Sequence, residues 1–174
     1  RRVLFRSCTF LNAVAATDTY TLYSDFMATP LYAVRGCGIV RSGAAGAYTY
    51  QVLPGYQNRP VNYVRWGSAA RFCNWLHNGQ PTGPQNNATT EDGSYPLHGA
   101  IAYTSFVDMP RTPNATWVIP TRDEWYKAAY HKNDGVTANY WDYPTSSNDM
   151  PLNLLETPDP GNRANYPSNL TSGW

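Results

Sequence analysis

The stretch Asn58-Arg-Pro-Val-Asn-Tyr-Val-Arg-Trp-Gly-Ser-Ala-Ala-Arg-Phe-Cys-Asn-Trp-Leu-His77 carries the clearest periodicity in the chain. From Trp66 to His77, the residues Ala69, Phe72, Cys73 and Leu76 recur at the i, i+3, i+4, i+7 spacing of one apolar helix face. Asn78-Gly79 follows, and a glycine there reaches the left-handed conformation that ends a helix at little steric cost. Pro60 punctuates the approach, so Val61-Asn-Tyr-Val64 reads as a short strand-like run feeding the helix. Cys73 reads as a small buried hydrophobe, since a nucleophilic thiolate needs exposure and positive surroundings.

Upstream, Phe10-Leu-Asn-Ala-Val14 has the pattern of the last turn of an amphipathic helix, and Asp18 to Met27 is aromatic and polar without a period. Ile39-Val40 and Tyr48-Thr-Tyr-Gln-Val52 flank Ser42-Gly-Ala-Ala-Gly46, a hairpin pattern whose glycines permit the reversal. Downstream, residues 79–116 read as loop. Glu91 and Asp92 stand side by side before Gly93, which is turn chemistry more than an acid/base pair. Trp117-Val-Ile-Pro120 is strand-like. Thr121-Arg-Asp-Glu124 is a capping box, so a helix begins near Arg122, with Trp125, Ala128 and Ala129 as its packing face. Tyr140-Trp-Asp-Tyr-Pro144 and the Asn/Pro/Asp-rich run to Asn165 read as ordered loop.

Composition narrows the function classes. The 174 residues are 42% hydrophobic and 14% charged, with 14 Tyr, 14 Pro, 13 Gly and 6 Trp, too aromatic for disorder and too rich in Pro and Gly for a helical bundle. The expected class is one loop-rich α+β domain. A formal charge of +1 supplies no attraction to nucleic acid or an anionic membrane, and no apolar run is long enough for a membrane segment. Ligands would be held by shape, aromatic faces and hydrogen bonds.

Cys8, Cys37 and Cys73 are odd in number and lack CxxC spacing, which implies neither a zinc site nor a closed disulfide framework. His77, His98 and His131 lie far apart, and each reads as a helix-end or surface histidine. No Gly-rich nucleotide loop, HExxH pair or Gly-x-Ser-x-Gly elbow is present. The triplets at Asn87, Asn114 and Asn169 fit the N-x-[ST] pattern but carry little weight in an Asn-rich chain. The opening residues RRVLFRS match one reading frame of a common sequencing adapter, so residues 1–7 are set aside as an expected artefact. The close at Asn169-Leu-Thr-Ser-Gly-Trp174 completes no element, and residues 8–174 are expected to be a domain incomplete at both ends.

Two segments in order resemble the formylglycine-generating-enzyme, or sulfatase-modifying-factor, family. Asn58 to Leu76 is similar to its P-V-x-x-V-x-W-x-D-A-x-x-[FY]-x-x-W helix entry, and Trp117-Val-Ile-Pro-Thr-Arg-Asp-Glu-Trp-Tyr-Lys-Ala-Ala129 to its R-L-P-T-E-x-E-W-E-x-A-A-R segment. Weaker echoes are Phe10 to Val14 and Thr89-Thr-Glu-Asp-Gly-Ser-Tyr95. Gly67-Ser68 departs from the usual residue-then-Asp, and Arg122 from the usual acid. The resemblance implies a loop-rich C-type-lectin-like fold with two helices packed on small antiparallel sheets.

It also implies a parent that oxidises a cysteine of a sulfatase-like protein or peptide to formylglycine, an oxidoreductase using oxygen and Cu(I) held by two cysteines in the family's C-terminal part. The Gly-Asn-x-Trp-Glu-Trp and Arg-Gly-Gly-Ser-type stretches that precede that pair do not occur here, and Cys37 and Cys73 do not stand in their place. No catalytic residue is therefore transferred, and the chain itself is expected to be inactive. One metal position carries over: Ala164-Asn165-Tyr166 matches a segment in which the Asn side-chain oxygen and the next residue's carbonyl bind calcium, here Asn165 and Tyr166. The competing expectation is a non-catalytic C-type-lectin-like ligand-binding module, because fold alone does not fix function. A third is a relative of the iron-dependent sulfoxide synthases that share this domain.

Overall fold

A computed structural model describes residues 3–28, 37–153, 158 and 160–164. The chain divides into two compact units, Arg1–Ile119 and Pro120–Trp174. The described residues form a small α+β arrangement with three α-helices and one two-stranded antiparallel sheet. None of these helices is long and apolar enough to cross a membrane.

In the first unit, α1 spans Val3–Val14, β1 Ile39–Ser42, β2 Thr49–Val52 and α2 Trp66–His77, with single 3-10 turns at Asp25–Met27 and Tyr103–Phe106. Helix α1 thus begins inside the stretch set aside as residues 1–7. The hairpin forms where the sequence suggests, pairing Ile39 with Val52 and Ser42 with Thr49. Helix α1 is tied to it through β2. Asn12 donates to the Tyr50 carbonyl at 2.8 Å and accepts from its N–H at 2.9 Å, while the Tyr50 hydroxyl donates to the Ala15 carbonyl at 2.9 Å. Leu11, Val14, Leu22, Met27, Ile39 and Tyr50 form the apolar centre around this joint.

Helix α2 lies between two apolar clusters. Phe72, Trp75 and Leu76 join the α1 and hairpin side, where the Phe10 ring meets Phe72 and Trp75 at 5.2 and 5.3 Å. Ala70 and Cys73 join Tyr95 and Leu97 on the other side. This corrects the single-stripe reading: Ala69, Phe72 and Leu76 are only partly covered, whereas Gly67, Ala70, Arg71, Asn74 and Trp75 are buried. The helix is enclosed on two sides, so a polar face is driven inside and is tolerated there through hydrogen bonds. At Gly67 a Cβ would come within 2.7 Å of the Phe106 ring, so only glycine lets that ring approach.

Two strand expectations fail. Val61 to Val64 and Trp117 to Pro120 pair with no strand among the described residues. In the latter run side chains take the place of a ladder: the Ile119 N–H donates to the Tyr95 hydroxyl at 2.9 Å, and its carbonyl accepts from Arg111 at 2.6 Å.

In the second unit, α3 spans Arg122–Tyr130 and opens with the expected capping box. The Glu124 N–H donates to the Thr121 hydroxyl at 3.2 Å, and the Thr121 N–H to the Glu124 carboxylate at 2.8 Å. The expectation of a packed face is not met. No residue of α3 is buried, and Trp125 is 55% exposed. Its aromatic residues contact one another locally instead: Tyr126 stacks on Tyr130 at 4.7 Å and meets Tyr140 at 5.1 Å.

Candidate functional site

The polar face of α2 organises residues 85–100, part of the irregular stretch between α2 and the 3-10 turn at Tyr103–Phe106. Arg71 grips Glu91 with two parallel bonds, Nε to Oε1 at 2.7 Å and a terminal nitrogen to Oε2 at 2.8 Å. Glu91 also accepts from the Thr90 hydroxyl at 2.8 Å and the Gly99 N–H at 3.0 Å. Its four acceptor positions are therefore filled. Arg71 donates further to the Ala100 carbonyl at 2.9 Å, and the Tyr20 ring lies 4.1 Å from its guanidinium.

One turn on, Asn74 donates to the carbonyls of Thr90 and Tyr95 and accepts from the Tyr95 N–H, all at 2.8 Å. Asn78 then donates to the carbonyls of Thr89 and Asp92 at 3.2 and 2.8 Å. Three side chains on one helix face thus hold the loop's backbone, replacing the ladder that it lacks. Asp92 is the turn residue anticipated, accepting from the Gly93 N–H at 2.9 Å. Glu91 is not: it is 2% exposed and belongs to the interior. A fully paired carboxylate has no acceptor site left for a substrate proton, so it positions the loop and does no acid/base chemistry.

Two surface grooves flank the loop. The larger, about 640 Å³, is lined by Tyr20, Gln85, Asn86, Glu91, His98 and Gly99. The smaller, about 330 Å³, is lined by His77, Asn78, Asp92, Thr112 and Asn114. In the first, the Gln85 Oε1 accepts from the Tyr20 N–H at 2.9 Å, and His98 is held at φ 45° on the rim. In the second, the His77 Nδ1 lies 2.9 Å from the Thr116 hydroxyl and 3.4 Å from its N–H. A backbone N–H only donates, so Nδ1 is the acceptor in the contact with the Thr116 N–H.

The histidines fall where the sequence suggested, His77 in the last turn of α2, His98 exposed on the loop and His131 at the end of α3. All three cysteines are free and buried. The Cys8 Sγ donates to the Tyr50 carbonyl at 3.0 Å and Cys37 to the Met27 carbonyl at 3.7 Å. Burial raises the Cys8 thiol pKa and pushes that of Cys73 up to about 11, which keeps both protonated. Asn165, Tyr166 and Asn169 lie outside the described residues. Among the described residues no three His, Cys, Asp or Glu side chains assemble a place for a metal ion.

Sequence reasoning missed Arg71, Asn74, Tyr20 and Gln85, and it read Glu91 as a turn residue where the structure buries it. A signal for the first two was available: Gly67 and Ala70 share their stripe, and small residues beside polar ones mark a helix face approached closely by another backbone. No protein-family model, curated protein or solved structure is significantly similar to the chain.

Proposed function

We propose that the chain is part of a formylglycine-generating-enzyme-like domain on a C-type-lectin-like scaffold, and that this part contributes ligand binding, not catalysis. The observation that carries the reading is the network of Arg71, Glu91 and Asn74, whose buried polar groups fix a loop beside an open groove in which the one lining carboxylate, Glu91, is paired with Arg71. Preorganised loops on a rigid helix are how binding sites are built without reacting groups. The buried thiols support the same division of labour, since a reactive cysteine needs exposure and a lowered pKa. The family part of the proposal rests on the two motif segments.

In a complete protein of this kind, oxidation of a sulfatase-like cysteine with Cu(I), and calcium held through Asn165 and Tyr166, are further proposals. Thiolate pairs suit Cu(I), and amide and carbonyl oxygens suit calcium.

Mass spectrometry and NMR separate the two halves. A cysteine-bearing sulfatase peptide incubated with the chain, oxygen and Cu(I) should keep its mass; a loss at the cysteine that needs both chain and oxygen defeats the non-catalytic assignment. Titrating the peptide and small neutral saccharides into the labelled chain should shift the Tyr20, His98 and Gly99 amides. Silence there with every ligand defeats the binding assignment.

A further inference from the structure

Asparagine or aspartate followed by glycine occurs three times in the chain, at Asn78-Gly79, Asp92-Gly93 and Asp134-Gly135. Such a pair is chemically labile. The glycine nitrogen, with no Cβ beside it to hinder the approach, can attack the side-chain carbonyl carbon of the preceding residue and close a five-membered succinimide. In a free peptide the asparagine pair reacts fastest, because its amide loses ammonia more readily than an aspartate loses water. The fold changes that order.

Asn78 closes α2, where its Nδ2 donates to the Thr89 and Asp92 carbonyls at 3.2 and 2.8 Å and the Gly79 N–H is directed to the Leu76 carbonyl at 3.2 Å. Nucleophile and leaving group are both held in other bonds. Asp134 accepts from the Val136 N–H at 3.1 Å on one carboxylate oxygen and from the Asn139 amide on the other. The Val136 bond above all keeps that carboxyl below the usual carboxylate range, in the anionic form that does not lose water.

Asp92-Gly93 is arranged differently. The Gly93 N–H donates to Oδ1 of Asp92 itself at 2.9 Å, and no other bond of that N–H occurs among the described residues. The nitrogen is thereby turned toward the carboxyl carbon that it would attack. Gly93 is pinned in this setting at φ 142°, where an added Cβ would come 3.2 Å from the Asn78 side-chain oxygen and 3.3 Å from the Asn74 Cα. Asp92 is half-buried and lines the smaller groove with Gly93, His77 and Asn114, so water reaches it.

The geometry points to Asp92 as a site of spontaneous modification, at which the folded chain forms isoaspartate. The Gly93 nitrogen bonds to Cγ of the protonated carboxyl, whose hydroxyl leaves as water together with the amide hydrogen. One water molecule then opens the ring. Opening at the former main-chain carbonyl leaves the chain running through Cβ and Cγ with a free carboxylate on Cα, and the mass is unchanged. The carbonyl that becomes this carboxylate is the one that Asn78 holds, and the next two, of Gly93 and Ser94, accept from the Thr112 hydroxyl at 2.7 Å and its N–H at 3.0 Å. A main chain lengthened by a methylene at this point draws those anchors out of register, so the modification loosens one wall of the groove. This inference is independent of the ligand-binding reading.

The test incubates the full folded chain in neutral buffer beside the same chain unfolded in guanidinium, and locates isoaspartate by peptide mapping with electron-transfer fragmentation. In the unfolded chain position 78 should lead. In the folded chain position 92 should lead, exceeding positions 78 and 134 by about tenfold. Asp92→Asn, which keeps the acceptor for the Gly93 N–H and supplies the better leaving group, should react faster than Asn78 in the same folded molecule, each event being read as a gain in mass. A folded chain with no isoaspartate at position 92, or with position 78 or 134 ahead of it, overturns the inference, as does an Asp92→Asn variant whose new amide survives as long as that of Asn78.

Discussion

Arg71 and Glu91, one on a helix and the other twenty residues further along in a loop, meet in a two-pronged ion pair whose side chains are only 3% and 2% exposed. Each charge is out of water, so the pair is tolerable only while both members are present. Removing one, as in Arg71→Met, should cost about 3–5 kcal/mol, because it strands a buried carboxylate. The double variant Arg71→Met/Glu91→Leu should recover a large part of that loss, since neither charge is then left unpaired. Urea unfolding of both variants checks this; a single variant as stable as wild type contradicts it.

Asn74 is fully buried and bonds to both polar groups of the Tyr95 backbone as well as to the Thr90 carbonyl. Asn74→Ala leaves these groups without partners in an interior that water does not reach, and should cost on the order of 3 kcal/mol or more. Hydrogen exchange supplies the specific readout: the Tyr95 amide should lose protection ahead of the α1 amides. Uniform loss across both would place Asn74 in general packing instead.

Trp75 of α2 and Trp125 of α3 should respond differently to truncation. Trp75 is 2% exposed, donates to the Pro81 carbonyl and packs on Phe10, so Trp75→Ala should cost about 3–5 kcal/mol. Trp125 is more than half exposed, and Trp125→Ala should stay below about 1 kcal/mol. Thr121→Ala, which removes the cap of α3, should cost about 1 kcal/mol of local helix stability. Denaturant unfolding together with exchange rates along α3 measures all three, and a large Trp125 effect would show that its ring is covered.

Stability should decline in alkali for an identifiable reason. Burial raises the Cys73 pKa from 9.0 to about 11, so between those values the folded chain retains a proton that the unfolded chain has released. The group's contribution is therefore whole below pH 9 and is lost as pH rises toward 11. Tyr50, raised by burial and by the nearby Asp18 charge, acts in the same direction at still higher pH. Unfolding free energies measured from pH 8 to about 11 should fall, and the fall should be shallower for Cys73→Ala than for wild type. An unchanged slope in that variant would assign the decline to other groups.

Features that depend on a few neighbouring residues are legible in the amino-acid sequence. The cap between Thr121 and Glu124, the reversal between Ile39 and Val52, and the extent of α2 up to Asn78-Gly79 all depend on neighbours within one or two turns of chain. Local hydrogen bonds and glycine conformations suffice for these. Long-range packing sets which side of α2 is innermost, makes Glu91 a buried anchor while Asp92 next to it closes a turn, and bonds Ile119 to the Tyr95 hydroxyl and not to a strand. It also leaves α3 with none of its residues buried. Apolar periodicity reports one favoured face, whereas a helix enclosed on two sides must also bury its polar face. The partners that make this tolerable come from loop residues some 16 to 21 positions away, a separation over which residue spacing carries no signal.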